Sequence, residues 1–257
     1  MNRNKVLRFV LYDVIRSRSV IAYTFFLFLI TFAMFYVSHD QSKVVISLFN
    51  IILLVVPLVN IVLGAIHYYN SDKFIQVLLT QPVKRSTIFW GEYLGFSISL
   101  SLSFLAGTLL PAIFYGLSMQ YLYLMLIGVA LTFIFEAIAL YIAVSNADKA
   151  RGLWKAILIW FYFSVVYDGL VMLVLFLFSD YPLQKTLLFL TVLNPIDISR
   201  TALLIKMDIS ALLGATGAVY QMVFGSTAGS VLAFGLLLCW IAAPLLRAHH
   251  IFRRKDF

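Results

Sequence analysis

The chain has 257 residues, of which 63% are hydrophobic and only 12% charged, and its mean hydropathy is +0.99. A soluble domain of this length needs polar side chains to cover its exterior, so the composition excludes one and makes the bilayer the solvent. The net charge of +8 does not point to nucleic acid, because the basic residues are scattered between apolar runs and form no stripe with interleaved aromatics.

Six apolar runs follow in chain order: Val20 to Val37, Val44 to Tyr69, Tyr93 to Leu117, Tyr121 to Ser145, Ala156 to Phe178 and Thr227 to Leu246. At about 1.5 Å per residue, even the shortest covers roughly 27 Å, close to the hydrocarbon thickness. The first run exceeds a usual signal-peptide core and lacks a small-x-small cleavage site, so it is expected to be a retained anchor. With an N-terminus in the cytoplasm, fifteen of the nineteen Lys and Arg fall on the inner side; only Lys43, Lys185, Arg200 and Lys206 fall outside. The positive-inside bias therefore predicts that both termini are cytoplasmic. The expected fold is an all-α integral membrane protein of six transmembrane helices, residues 1–257 forming a single transmembrane domain.

Before the first run, Leu7, Val10, Leu11 and Val14 recur at helical spacing, while Lys5, Arg8, Tyr12 and Arg16 fall on another face. This suits an amphipathic interfacial helix, and equally a basic flank that fixes topology.

The loop between runs two and three, Asn70 to Glu92, predicts a short amphipathic helix. Asn70 or Ser71 would cap it, Asp72 suits its positive end, and Phe74, Val77 and Leu78 recur at helical spacing until Pro82 stops it. Such a ridge fits a partner's groove, and fits as well against the chain's own bundle or the headgroups.

Between runs five and six, Ser179 to Ser226 is long and apolar. Thr186 to Leu193 is too short to span, and Ile209 to Phe224 is broken by Gly214 and Gly217, so re-entrant or interface-lying helices are expected there.

Two carboxylates, Glu136 and Asp168, lie inside the runs, and no basic residue within any run is available to pair with them. Intramembrane charge is costly enough that such groups are functional candidates, although protonation or a polar neighbour on another helix explains them as packing residues. Asn60, His67 and the pair His249-His250 do not cluster with Cys or Met; Met34, Met119, Met125, Met172, Met207 and Met222 are isolated, and Cys239 stands alone. No metal site is expected on this pattern. The sequence has no GxxxxGK[ST] loop to cradle a nucleotide and no HExxH, and the Gly225 to Gly229 stretch is out of frame for GxSxG.

The run Ser71-Asp72-Lys73-Phe74-Ile75-Gln76-Val77-Leu78-Leu79-Thr80-Gln81-Pro82-Val83-Lys84-Arg85, followed by Gly91, resembles the coupling region of ABC-2 type permeases. Leu193-Asn194-Pro195-Ile196-Asp197-Ile198-Ser199-Arg200 is similar to the asparagine-proline motif that the family carries outside the membrane before its last span. Asp72 stands where glutamate is usual, Lys73-Phe74 replaces a commoner Gly-Thr, and Glu92 stands where lysine often precedes span three. Within that family the chain resembles the permease subunit of the transporter that matures the copper sites of nitrous-oxide reductase.

The resemblance implies a homodimer in a bacterial cytoplasmic membrane, with no catalytic residue, metal or cofactor of its own. ATP and Mg would sit on a separate cytoplasmic ATPase docked at Asp72, Phe74, Val77, Leu78, Leu79, Pro82 and Arg85. Membrane lipid and an extracytoplasmic accessory protein, met near Asn194, Pro195, Asp197 and Arg200, are further implied partners; nucleic acid is not. Two rival readings are a membrane-embedded enzyme or proton-coupled carrier built on Glu136 and Asp168, and an assembly subunit through which nothing crosses.

Overall fold

Short polar residues between the apolar runs set where the helices begin. Ser17, Asp40, Ser118, Asp148 and Asn194 each accept a hydrogen bond from a backbone N–H in the first turn that follows, satisfying donors the helix leaves open. In the computed structural model, which describes residues 3–38, 40–178, 184–207 and 227–255, the elements are all helical. They are α1 (Arg3–Ile15), α2 (Arg18–Val37), α3 (Gln41–Leu79), α4 (Arg85–Tyr115), α5 (Met119–Ser145) and α6 (Lys149–Phe161). A π-helical turn (Tyr162–Val166) joins α6 to α7 (Tyr167–Leu177), and α8 (Gln184–Val192), α9 (Pro195–Lys206) and α10 (Thr227–Arg254) follow.

Six helical spans among the described residues are long and apolar enough to cross a bilayer: α2, α3, α4, α5, the α6–α7 unit and α10. The chain is a multi-pass membrane protein. Its centre is α5, which packs against α3, α4, α6, α9 and α10. Of the most apolar stretch of α5, 78% is buried, against 6% for the α6–α7 unit, so the latter turns nearly all of its apolar surface outward.

The helix expected between spans two and three is not separate. No Gly or Pro interrupts residues 65–81, so α3, which already carries Pro57 within it, continues past the second run and stops at Leu79, 39 residues and roughly 58 Å from its start. Asn70 and Ser71 therefore lie in mid-helix, where no N–H awaits a cap.

One face of α4 carries a small residue every fourth position: Gly91, Gly95, Ser99, Ser103 and Gly107. It seats α1 and α2 at close range. A Cβ on Gly91 would lie 2.7 Å from Val6, one on Gly95 2.8 Å from Val10, and one on Gly107 2.7 Å from the Thr24 carbonyl. Ser99 Oγ, which donates to the Gly95 carbonyl of its own helix (2.7 Å), also lies 3.3 Å from the Leu11 carbonyl across the same seam. Without a hydrophobic force between helices in lipid, such close backbone approach is what gains dispersion energy. The N-terminal pattern thus becomes a helix packed on the bundle through Val6, Val10 and Val14, while Leu7 and Leu11 are half-buried.

Beyond span five the chain forms two short helices instead of a soluble loop. Thr186–Val192 and Pro195–Lys206 meet at a bend of 112°. The expected helix at Ile209 to Phe224 lies outside the described residues.

Candidate functional site

Two sites stand at opposite ends of the long helices. At the end where α1 starts and α10 finishes, the α3–α4 elbow is braced from several directions. Phe74 stacks on Phe9 of α1, with ring centres 4.8 Å apart and planes inclined by 22°. Arg85 Nη1 donates to the Arg253 and Lys255 carbonyls at the end of α10 (3.0 and 2.7 Å), and Ser86 Oγ lies 2.9 Å from His249 Nε2. Tyr69 OH donates to the Asn146 carbonyl (3.0 Å) and Lys149 Nζ to Asn70 Oδ1 (2.9 Å), which ties α3 to the α5–α6 turn. Burial lowers the Lys255 ammonium from its ordinary value, and the Asp72 carboxylate beside it pulls the other way.

This bracing sorts the predicted docking residues by face. Ile75 and Leu78 are buried, and Phe74, Leu79 and Arg85 are half-buried, so most of the apolar ridge is used inside the chain. Helical spacing identifies a stripe without saying what covers it; here the chain's own bundle covers it. Val77, 58% exposed, and Pro82 face outward with Lys73, Gln76, Thr80 and Gln81. Asp72 has no helix start to sit on and instead accepts from Gln76 Nε2 one turn on (2.9 Å).

At the opposite end, Asn194 joins two elements. Its Oδ1 accepts from Ile196 N and caps α9 (3.0 Å), while its Nδ2 donates to the Phe163 carbonyl in the π-helical turn (3.0 Å). Pro195 occupies the first turn of α9, where its missing N–H costs nothing. Arg200, one face of α9 further on, reaches Asp168 Oδ2 at 3.0 Å and Asp197 Oδ1 at 3.2 Å. Tyr167 OH donates to the Leu190 carbonyl (2.6 Å) and Trp240 Nε1 to the Val192 carbonyl (3.1 Å), closing the clasp around α8. No basic residue within the runs pairs with Asp168; its cation, Arg200, lies outside the six runs and is folded back onto α7 by the α8–α9 bend.

Glu136 has different surroundings. It is buried on α5 against Gly64 of α3, so tightly that a Cβ at Gly64 would overlap its carboxylate, and its Oε2 has no hydrogen-bond partner. Asp168 is bound up in the α9 clasp, so the two carboxylates do not form one constellation. Two features of the polar interior went unread in the sequence. Glu92 is not at a helix mouth but buried within α4, its Oε2 3.1 Å from His67 Nε2 on α3. The four-residue period of small residues on α4 is the other, and it was there to be counted. Among the described residues no three His, Cys, Asp or Glu side chains converge as a metal site.

A bundle of six spans, with a braced elbow at one end and a clasped helix pair at the other, has the build of a membrane permease. The chain belongs to the ABC-2 family: the profile described as "ABC-2 family transporter protein" matches residues 49–257. It is similar to the "Probable ABC transporter permease protein NosY" of Stutzerimonas stutzeri, with 28% identity over 224 residues, 81% of this chain and 79% of that protein. The protein of the same name from Pseudomonas aeruginosa is 27% identical over the same shares.

Proposed function

We propose that this chain is the membrane-spanning subunit of an ABC transporter and that a separate cytoplasmic ATPase moves it through the α3–α4 elbow. The observation that carries this is the outward face of that elbow. Lys73, Gln76, Val77, Thr80, Gln81 and Pro82 are exposed on the end of a helix that runs unbroken through the bundle. α1, the α5–α6 turn and the tail of α10 hold the inner face, so a push there passes into those elements. The excess of Lys and Arg at this end supports a cytoplasmic position for it, in a bacterial inner membrane.

In this reading ATP and Mg belong to the partner, whose closure favours one of two arrangements of the bundle; no reaction is assigned to this chain. The outward apolar surface of the α6–α7 unit supports pairing with a second copy. The α8–α9 clasp is the element through which motion would reach an extracytoplasmic partner or cargo. A place in copper-site maturation rests on the sequence resemblance to that branch of the family.

The test is co-purification with a co-expressed ABC ATPase. Val77→Asp should reduce the ATPase recovered by about tenfold, the scale of one lost apolar anchor, while the permease keeps its thermal midpoint. Leu78→Asp should lower the midpoint itself, because that side chain is buried. ATPase recovery unchanged in Val77→Asp and in Pro82→Asp removes the elbow as the docking site.

A further inference from the structure

A cavity of about 370 Å³ opens between α1, the start of α2, α3 and α4, and its chemistry is unlike that of its surroundings. The end of the molecule that holds it is rich in Lys and Arg, yet none is among the cavity's described lining residues. The titratable groups there are two carboxylates, Asp13 and Glu92, and one imidazole, His67. Phe9, Phe74 and Phe96 supply aromatic walls, with Phe96 stacked on His67 at 4.5 Å between ring centres.

Glu92 makes this more than an acidic pocket. Only 5% exposed, it uses Oε2 on His67, while Oε1 is buried with no hydrogen-bond partner. Leaving a buried carboxylate oxygen unsatisfied is costly, so a donor that enters and supplies that bond gains correspondingly. Asp13, exposed on α1, adds a second negative charge at the mouth. The aromatic faces add cation–π attraction.

We propose that this cavity binds a primary ammonium group carried on an apolar body. A metal ion fits poorly, since a hard cation wants six or more oxygens and the described side chains converge on no such set. An anion is opposed by both carboxylates. An ammonium gives N–H donors to Glu92, charge to Asp13 and an apolar remainder to Phe9, Phe74 and Phe96, within the 300–1,000 Å³ range of small-ligand sites. Two sources share that chemistry: the ethanolamine headgroup of a membrane phospholipid, and a soluble amphipathic amine. Because α1, α3 and the elbow form the walls, an occupied cavity ties α1 to the lever that the ATPase would move. The site itself does not depend on that reading.

The experiment uses the purified full chain and needs no ATPase. Its thermal midpoint is measured in nanodiscs of phosphatidylethanolamine or phosphatidylcholine, and in detergent with hexylammonium or hexanoate. A primary ammonium should raise the midpoint by about 3 °C, on the scale expected of a ligand well above its Kd, whereas phosphatidylcholine and hexanoate should not. The increment should fall about threefold or more in Asp13→Asn and in Glu92→Gln. Asp13 is exposed, so its variant remains informative if loss of the Glu92–His67 contact unfolds the other. A response to phosphatidylethanolamine alone identifies the headgroup as the source, and one to hexylammonium identifies a free amine. Equal midpoints across all four conditions, or an undiminished response in Asp13→Asn, overturn the proposal.

Discussion

Arg200 on α9 donates to Asp168 on α7 at 3.0 Å while holding Asp197 of its own helix at 3.2 Å, so one guanidinium serves two carboxylates. Removing it leaves two carboxyl groups facing each other in a partly buried place without their shared cation. Arg200→Ala is expected to destabilise the fold by about 2 kcal/mol, less than a fully buried pair because Asp168 and Arg200 keep about a third of their side-chain surface exposed. Arg200→Lys should recover only part of this, since an ammonium cannot fork to two acceptors in fixed directions. Thermal unfolding of the purified variants in detergent measures both; no change in Arg200→Ala would show that the contact is incidental.

Asn194 does two jobs with the two ends of one amide, and substitutions can separate them. Asn194→Asp keeps an oxygen to cap α9 but loses the donor to Phe163 in the π-helical turn. Asn194→Ala loses both. The alanine variant is expected to cost about 1 kcal/mol for the cap and a similar amount for the orphaned carbonyl. The aspartate variant should keep the cap, lose the second part and add a carboxylate beside Asp197, while speeding amide exchange around residues 162–166. Amide hydrogen exchange by mass spectrometry checks this: identical protection of that segment in Asn194→Asp and wild type would mean that the π-turn does not need the clasp.

All six spans were legible because continuous apolar runs of spanning length leave no soluble alternative. Their ends were not. Run four ended at Ser145, as α5 does, but α4 begins at Arg85 and α6 at Lys149, well before the runs at Tyr93 and Ala156. Hydropathy reports where lipid must be, whereas the helix continues until its end is capped, past internal prolines such as Pro57 and Pro111. The elbow shows the same limit more sharply. Phe74 and Leu78 announce an apolar ridge, but only the position of Phe9 and the bundle tells which of its residues remain for a partner. Asp168 looked unpaired because Arg200 lies 32 residues away, beyond a 112° bend that no run length could predict.

The small-residue stripe on α4 makes a contrast between glycines. At Gly107 an added Cβ would lie 2.7 Å from the Thr24 carbonyl and 2.8 Å from Leu27 Cβ, and backbone cannot step aside cheaply. At Gly235 on α10 nothing stands within 4 Å. Gly107→Ala is therefore expected to push α2 from α4 at a cost of about 1–3 kcal/mol. Gly235→Ala should be neutral, or stabilising by up to about 1 kcal/mol through helix propensity. Midpoints from the same thermal assay decide it, and equal effects at the two positions would contradict the seam.

Glu136 separates the permease reading from one in which the chain itself carries protons. Its carboxylate is buried on α5, pressed against Gly64, with Oε2 lacking a partner. A charge held there costs several kcal/mol, so glutamine, of the same shape and uncharged, should leave the bundle at least as stable. A protein driven by a separate ATPase needs Glu136 for shape and polarity. A proton carrier needs its ability to ionise. Glu136→Gln is therefore expected to keep permease-stimulated ATP hydrolysis within about threefold of wild type in vesicles containing both subunits, a loss of under about 1 kcal/mol in barrier terms. Measured alongside Asp168→Asn, which removes one charge from the α9 clasp but leaves Asp197 to hold Arg200, the pair locates any effect. Abolition of activity by Glu136→Gln, with assembly and thermal midpoint intact, would move the working chemistry from the elbow into the core of the bundle.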